Sequence, residues 1–258
     1  MFGDGTIGGG DGRFPETRWS AVSAARSDDP AERRRALDLL ISAYWKPVYK
    51  YIRLHWNKPS DEAQDLTQEF FTRLIEKDFL DRFDPARARL RTYLRVCVDG
   101  VVANESKAAG RLKRGGDALH LSLDFSAAEI ELTRVAPALR QIASPGSIED
   151  WFEKEWIRSL FTLGVECLRE ECERKGKQIH FRLFEIYDLD DAPGGRRSYE
   201  DLAREFGIAA TDVTNYLAFA RREFRRIVLA ELRKICATED EFRREARSVL
   251  GLDPRDND

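Results

Sequence analysis

The chain has 258 residues, 43 Lys plus Arg against 46 Asp plus Glu, and a formal net charge of −3; at roughly 100 to 200 residues per domain it holds two small domains or one large one. A hydrophobic content of 42% supplies cores and excludes disorder throughout, and 34% charged residues give an unusually ionic surface. A slightly acidic total argues against nucleic-acid binding unless the charges are segregated along the chain.

Residues 1–15 form a Gly-rich tail with six glycines in its first twelve positions, a composition of flexible chain. The opening MFGDGTIGGGDGR has neither the basic nor the apolar region of a secretory leader, and no later stretch reaches the roughly 18 apolar residues of a membrane span. A cytoplasmic location without membrane contact is expected. The glycines lack the Gly-Lys-Ser/Thr ending of a phosphate loop.

Helical periodicity then dominates up to about residue 106. Asp28-Asp29-Pro30 starts a helix with Leu37, Leu40, Ile41, Tyr44 and Trp45 along one stripe, and Lys46-Pro47 and Lys58-Pro59-Ser60 interrupt or start the next ones. Over 61–77, Ala63, Leu66, Phe70 and Leu74 share one face. Asp61, Asp65 and Glu69 recur every four residues on another, with Glu62 beside them. Eight acidic against three basic residues over 60–84 leave −5, a face suited to a basic partner helix, or simply to solvent.

After Asp84-Pro85 a long helix is expected over 86–109, with Leu90, Leu94, Cys97 and Val101 as its seam. Residues 87–114 hold eight basic and two acidic residues, +6. Arg87, Arg91, Arg95, Lys107 and Arg111 can neutralise phosphates, and Tyr93 can stack on an exposed base or fill the core. GRLKRGG at 110–116 marks a boundary, and 117–146 reads as an irregular connector, long enough to be functional or mobile. A second helical block starts near Ser147, in which Phe152, Trp156, Leu160, Leu163 and Cys167 form a stripe. Residues 117–173 carry twelve acidic and five basic residues, −7.

The strongest motif is SYEDLAREFGIAATDVTNYLAFARREFRR at 198–226. Ser198 with Asp201 gives a capping start, Gly207 a tight turn, and Thr211 a cap for the second helix. Ala203, Gly207 and Val213 have helix-turn-helix spacing. With Val213, Leu217, Ala220, Phe224 and Ile227 or Val228 buried, Thr214, Asn215, Ala218 and Arg222 face away, suited to base edges and phosphates. Arg221 and Arg225 add charge on the same helix. A hairpin with a solvated arginine face is the bland alternative.

Cys97, Cys167, Cys172 and Cys236 form no CxxC pair, and His55, His120 and His180 are isolated. No HExxH, GxSxG or P-loop pattern occurs. The expectation is no catalytic residue, no metal and no cofactor.

Taken in order, these segments resemble bacterial sigma-70-family sigma factors of the extracytoplasmic-function type, over about 17–250. DEAQDLTQEFFTRLIEK resembles region 2.2, FDPARARLRTYLRVCVDGVVANESKAAGRLKRGG regions 2.3 and 2.4, and residues 198–226 region 4.2. TRWSAV, LSLDFSAAEIE and WFEKEWIRSL resemble a long-linker subgroup. Tyr93 stands where relatives often carry Trp, and Gly100 where many have Asn.

The resemblance implies an all-α fold of two helical domains, region 2 at 16–114 and region 4 at 147–250, joined by a flexible linker at 115–146 and followed by a tail at 251–258. It implies core RNA polymerase as a partner, through its β′ coiled coil and β flap, with Asp61, Glu62, Asp65 and Glu69 at the first contact. Promoter DNA would be held at −35 by Thr211, Thr214, Asn215, Ala218, Arg221, Arg222 and Arg225, and at −10 by the basic cluster with Tyr93. An anti-sigma factor or other regulator is a further partner of such proteins. The competing reading is a stand-alone helix-turn-helix regulator that needs no polymerase, which leaves the acidic helix and second basic cluster without a role.

Overall fold

The computed structural model describes residues 21–76, 79–108, 121–139, 145–190 and 197–251. It is all-α, with no strand among the described residues. The helices are α1 (Ala21–Ala24), α2 (Pro30–His55), α3 (Ser60–Glu76), α4 (Leu90–Ala108), α5 (Phe125–Leu139), α6 (Pro145–Arg174), α7 (Gln178–Phe184), α8 (Tyr199–Phe206), α9 (Ala210–Ile235) and α10 (Glu239–Leu250).

Helix α2 is the central post of the first half. Asp29 caps it by accepting from the Ala31 N–H at 2.9 Å, and Pro30 at the first position has no N–H to satisfy. It packs on α6, α3, α1, α4 and α5. An internal proline ordinarily removes one helical bond and costs about 3 kcal/mol, so a break at Lys46-Pro47 was the expectation from sequence. Instead α2 runs unbroken through a buried Pro47, held by buried residues on both sides of it, Ile41, Ala43 and Tyr44 before and Val48, Tyr49, Tyr51 and Ile52 after.

The expected connector is not irregular over its described part. Residues 125–139 form α5, whose Phe125 ring lies against Trp45 and Tyr49 at 5.8 and 5.0 Å. Glu129 accepts from the Tyr49 hydroxyl at 2.6 Å and pairs with Arg53, which holds its carboxyl below the ordinary range. Glu131 pairs with Lys46 and Lys50 at 2.9 and 2.6 Å. Tertiary contacts therefore hold a helix that local sequence marks only weakly. The connector residues 115–120 and 140–144 and the tails 1–15 and 252–258 lie outside the described residues.

Packing also cuts across the division at 147. One apolar cluster runs through α1 to α5 and then takes Trp151, Phe152, Trp156 and Leu160 of α6, Val228, Leu232 and Ile235 of α9, and Phe242 and Ala246 of α10. A second joins Leu168 and Cys172 of α6 to α7, α8 and Val213, Leu217, Ala220 and Ile227 of α9. With 30 and 26 residues, α6 and α9 are about 45 and 39 Å long, enough to span both clusters. They cross where Gly164 lies so near Val228 and Phe224 that an added Cβ would stand 2.8 Å from a Val228 methyl.

Charge is buried in this contact. Lys50 of α2 and Glu155 of α6 are 2% and 1% exposed and hydrogen-bonded to each other, with Arg158 reaching the second Glu155 oxygen. A buried pair adds little over an apolar one, but removing Lys50 leaves the enclosed Glu155 with Arg158 alone, a partner whose side chain is more than half exposed. Lys50→Met should therefore lower unfolding free energy by about 3 kcal/mol, and Lys50→Met with Glu155→Leu should restore most of it. Urea unfolding of both variants checks this; equal losses would show that the pair is not the cause.

Candidate nucleic-acid interface

The acidic face of α3 is open. Asp61, Glu62 and Asp65 are exposed, and Glu69 is half-buried against Arg73 at 2.5 Å. Arg73 also reaches Glu105 of α4 at 3.0 Å, and Lys58 pairs with Glu62 at 2.9 Å. Asp61 and Asp65 pair with no described cation. Beside them Gln68 exchanges two hydrogen bonds with the Leu121 backbone, at 2.7 and 3.0 Å, which holds Leu121 on the flank of this helix.

Helix α4 departs from the uniform basic face expected for 87–114. It begins at Leu90 and not at residue 86, because the Glu241 carboxylate takes the Leu90 N–H at 3.0 Å while 85–88 turn over Asp84. Arg87 is exposed and pairs with Asp84 at 3.2 Å. Arg91, expected to hold a phosphate, is 3% exposed, paired with Glu245 of α10 and Glu153 of α6 and laid over the Trp156 ring at 4.8 Å. Its partners lie far along the chain, so no local pattern announces them.

Tyr93, whose ring could either stack on a base or fill the core, is half-buried. Its hydroxyl donates to the Phe79 carbonyl at 2.5 Å, its ring packs on Phe83 at 5.4 Å, and burial pushes its pKa up to about 12. Arg95 is largely covered and lies 3.6 Å from Asp99. Arg111 and the side chain of Lys107 lie outside the described residues. Gly100 is exposed with open space where a Cβ would stand.

The second face is built by α8 and α9. Ser198 caps α8 through the Asp201 N–H at 3.1 Å, and Asp201 answers by accepting from the Ser198 hydroxyl at 2.8 Å. Gly207 ends α8 at φ +65°, and its N–H returns to Ala203. The cap of α9 differs from expectation. Ala209 stands at the cap position, its N–H accepted by Asp212 at 3.3 Å, and Thr211 lies exposed in the first turn. Alanine has no side-chain acceptor, so the carboxylate three residues on supplies the polar contact.

Val213, Leu217, Ala220, Ile227 and Val228 are buried and Phe224 half-buried, so Thr211, Thr214, Asn215, Ala218, Arg222 and Arg225 form an exposed row. Arg221 is drawn to one side: Asp188 binds it through two hydrogen bonds of 2.8 and 2.9 Å and pushes its pKa up. Sequence reading missed Lys177, whose ammonium sits 3.5 Å from the centre of the Phe219 ring, with Arg222 at 5.5 Å from the same ring. Lying between helices, Lys177 carries no periodic signal. His180 stacks on Tyr216 at 4.0 Å, and burial lowers its pKa.

The four cysteines are free, Cys172 and Cys236 buried and Cys97 and Cys167 half-buried, and burial pushes each thiol up. No group of three or more metal-ligating side chains gathers among the described residues, and no described helix is long and apolar enough to cross a membrane.

Residues 40–112 match the family model of Sigma-70 region 2. The matched segment runs from within α2 through α3 to just beyond α4, and so contains both the acidic face and the basic helix. Comparisons with curated proteins and with solved structures gave no match.

Gly207 tests the geometry of the second face. Apart from its chain neighbours no atom lies within 4 Å of where its Cβ would stand, so Gly207→Ala meets only the strain of an L side chain at positive φ; it should cost about 1 kcal/mol, and Gly207→Asn less. Thermal unfolding separates the two, and equal stability of wild type and Gly207→Ala would contradict a left-handed turn there.

Proposed function

We propose that the chain is a sigma factor of the sigma-70 family, of the extracytoplasmic-function type: a non-catalytic subunit that binds core RNA polymerase in the cytoplasm and directs it to promoters. The observation that carries this reading is the Sigma-70 region 2 match over 40–112, a segment in which an exposed acidic helix face and a cationic helix stand on one scaffold.

In this reading Asp61, Glu62 and Asp65, with Glu69 at the edge, dock on the β′ coiled coil. Opposite charge at such a contact speeds encounter and fixes orientation. Arg87, Arg95, Lys107 and Arg111 lie along the −10 DNA. Helices α8 and α9 act as a helix-turn-helix beside the β flap, with Thr211, Thr214, Asn215 and Ala218 toward base edges at −35 and Arg222, Arg225 and Lys177 toward phosphates. Polymerase brings both faces to one duplex, so two modest contacts act together through linkage. The exposed Asp61 and Asp65 are also where an anti-sigma factor would compete.

Asp61→Lys with Asp65→Lys changes only solvent-facing groups, so unfolding free energy should shift by no more than about 0.5 kcal/mol. Co-purification with core polymerase and core-dependent run-off transcription should both be lost. Undiminished holoenzyme assembly by the folded double variant would overturn the assignment of this face.

A further inference from the structure

Helix α10 places three kinds of contact on the start of the cationic helix. Glu241 is buried and bridges two backbones, accepting from the Leu90 N–H at 3.0 Å and from the Ala237 N–H at 2.7 Å. Glu245, 3% exposed, pairs with Arg91 and lies 3.6 Å from Arg89. Ser248 donates to Glu153 of α6 at 3.4 Å, and the same carboxylate reaches Arg89 at 3.4 Å and pairs with Arg91. Between these polar contacts Phe242 and Ala246 are buried, and Arg233 of α9 covers the Phe242 ring at 4.3 Å.

The group so occupied is a helix N-terminus with two guanidinium groups beside it, the combination that ordinarily receives a phosphate. Here carboxylates receive it. Arg91 is enclosed further by Trp156, so a nucleic-acid phosphate has no route to it while α10 is in place. The link is short: Cys236, Ala237 and Thr238 alone separate α9 from α10, and Thr238 caps α10 through the Glu241 N–H at 3.1 Å.

We propose that α10 is an internal competitor for DNA, a latch whose Glu241 and Glu245 stand in for phosphates on Leu90, Arg89 and Arg91 and keep the first turn of α4 closed until DNA displaces it. The inference rests on the assignment of α4 to DNA contact. It adds an autoinhibited state in which α10, joined to α9, ties the upstream-reading helix to the helix it masks.

The test uses the full chain and a fluorescent duplex of arbitrary sequence with a single-stranded overhang. Glu241→Gln with Glu245→Gln keeps size and removes both negative charges, although one of the two backbone N–H groups that Glu241 accepts from then faces an amide donor. It should raise affinity in the absence of polymerase by about tenfold, and steepen the dependence of log K on log salt concentration by about 1.8, two more phosphates being neutralised. Unchanged affinity and slope in a folded variant would overturn the latch. Should the variant not fold, hydrogen exchange on the wild type decides: saturating DNA at low salt must accelerate exchange over 239–250, and unchanged or slower exchange there overturns the proposal. Run-off transcription with core polymerase is measured in parallel. Its absence for wild type and variant alike counts against the sigma-factor reading, whereas its presence with an unaltered DNA affinity counts against the latch alone.

Discussion

Two buried cations, Lys50 on α2 and Arg91 on α4, organise the molecule, because each finds its neutralising carboxylates in the second half of the chain. A charge taken out of water must be matched closely or the structure opens to rehydrate it. Glu155 answers Lys50, and Glu245 with Glu153 answers Arg91, so α6 and α10 must lie where they do. Apolar packing of Trp151, Phe152, Trp156 and Phe242 fills the space between the pairs. Hydrophobic burial supplies attraction without direction; the ion pairs add direction, and they fix the register of α6 against α2 and of α10 against α4.

This constraint changes the meaning of the net charge. The sum of −3 arises from stretches of opposite sign, and Arg89, Arg91 and Arg95 of the positive one are answered internally. Among the described residues, the acidic row at Asp61, Glu62 and Asp65 and the mixed polar and basic row along α9 stay exposed. A protein with such surfaces has weak attraction for DNA at large, since sequence-independent affinity grows with the number of phosphates neutralised. In the proposed role that restraint is useful: polymerase supplies proximity, and specificity is exerted only in its company.

Much of this was legible in the sequence where spacing alone decides the outcome. The stripe Val213, Leu217, Ala220 and Ile227 settled which side of α9 is buried, and hence which residues face outward, because 3.6-residue periodicity is a local property. The acidic row of α3 followed from the same rule. The less legible parts depend on distant partners. Helix α5 lies in a stretch read as irregular, and its order comes from Trp45, Tyr49, Arg53 and Lys50 about 80 residues earlier. Arg91 looked like its exposed neighbour Arg87 until Glu245, 154 residues away, was placed beside it. Pro47 carried a strong breaker signal that burial on several sides overrode.

The central claim is that polymerase brings the acidic face of α3 and the exposed row of α9 to their partners together. Photocrosslinking amino acids substituted at Asp65 and at Thr214 test it most directly, in mixtures of the chain, promoter DNA and core polymerase. Position 65 should crosslink to the polymerase β′ subunit, and position 214 should crosslink to DNA only when core is present. Crosslinking of position 214 to DNA with equal yield without core, together with no polymerase adduct at position 65, would contradict it.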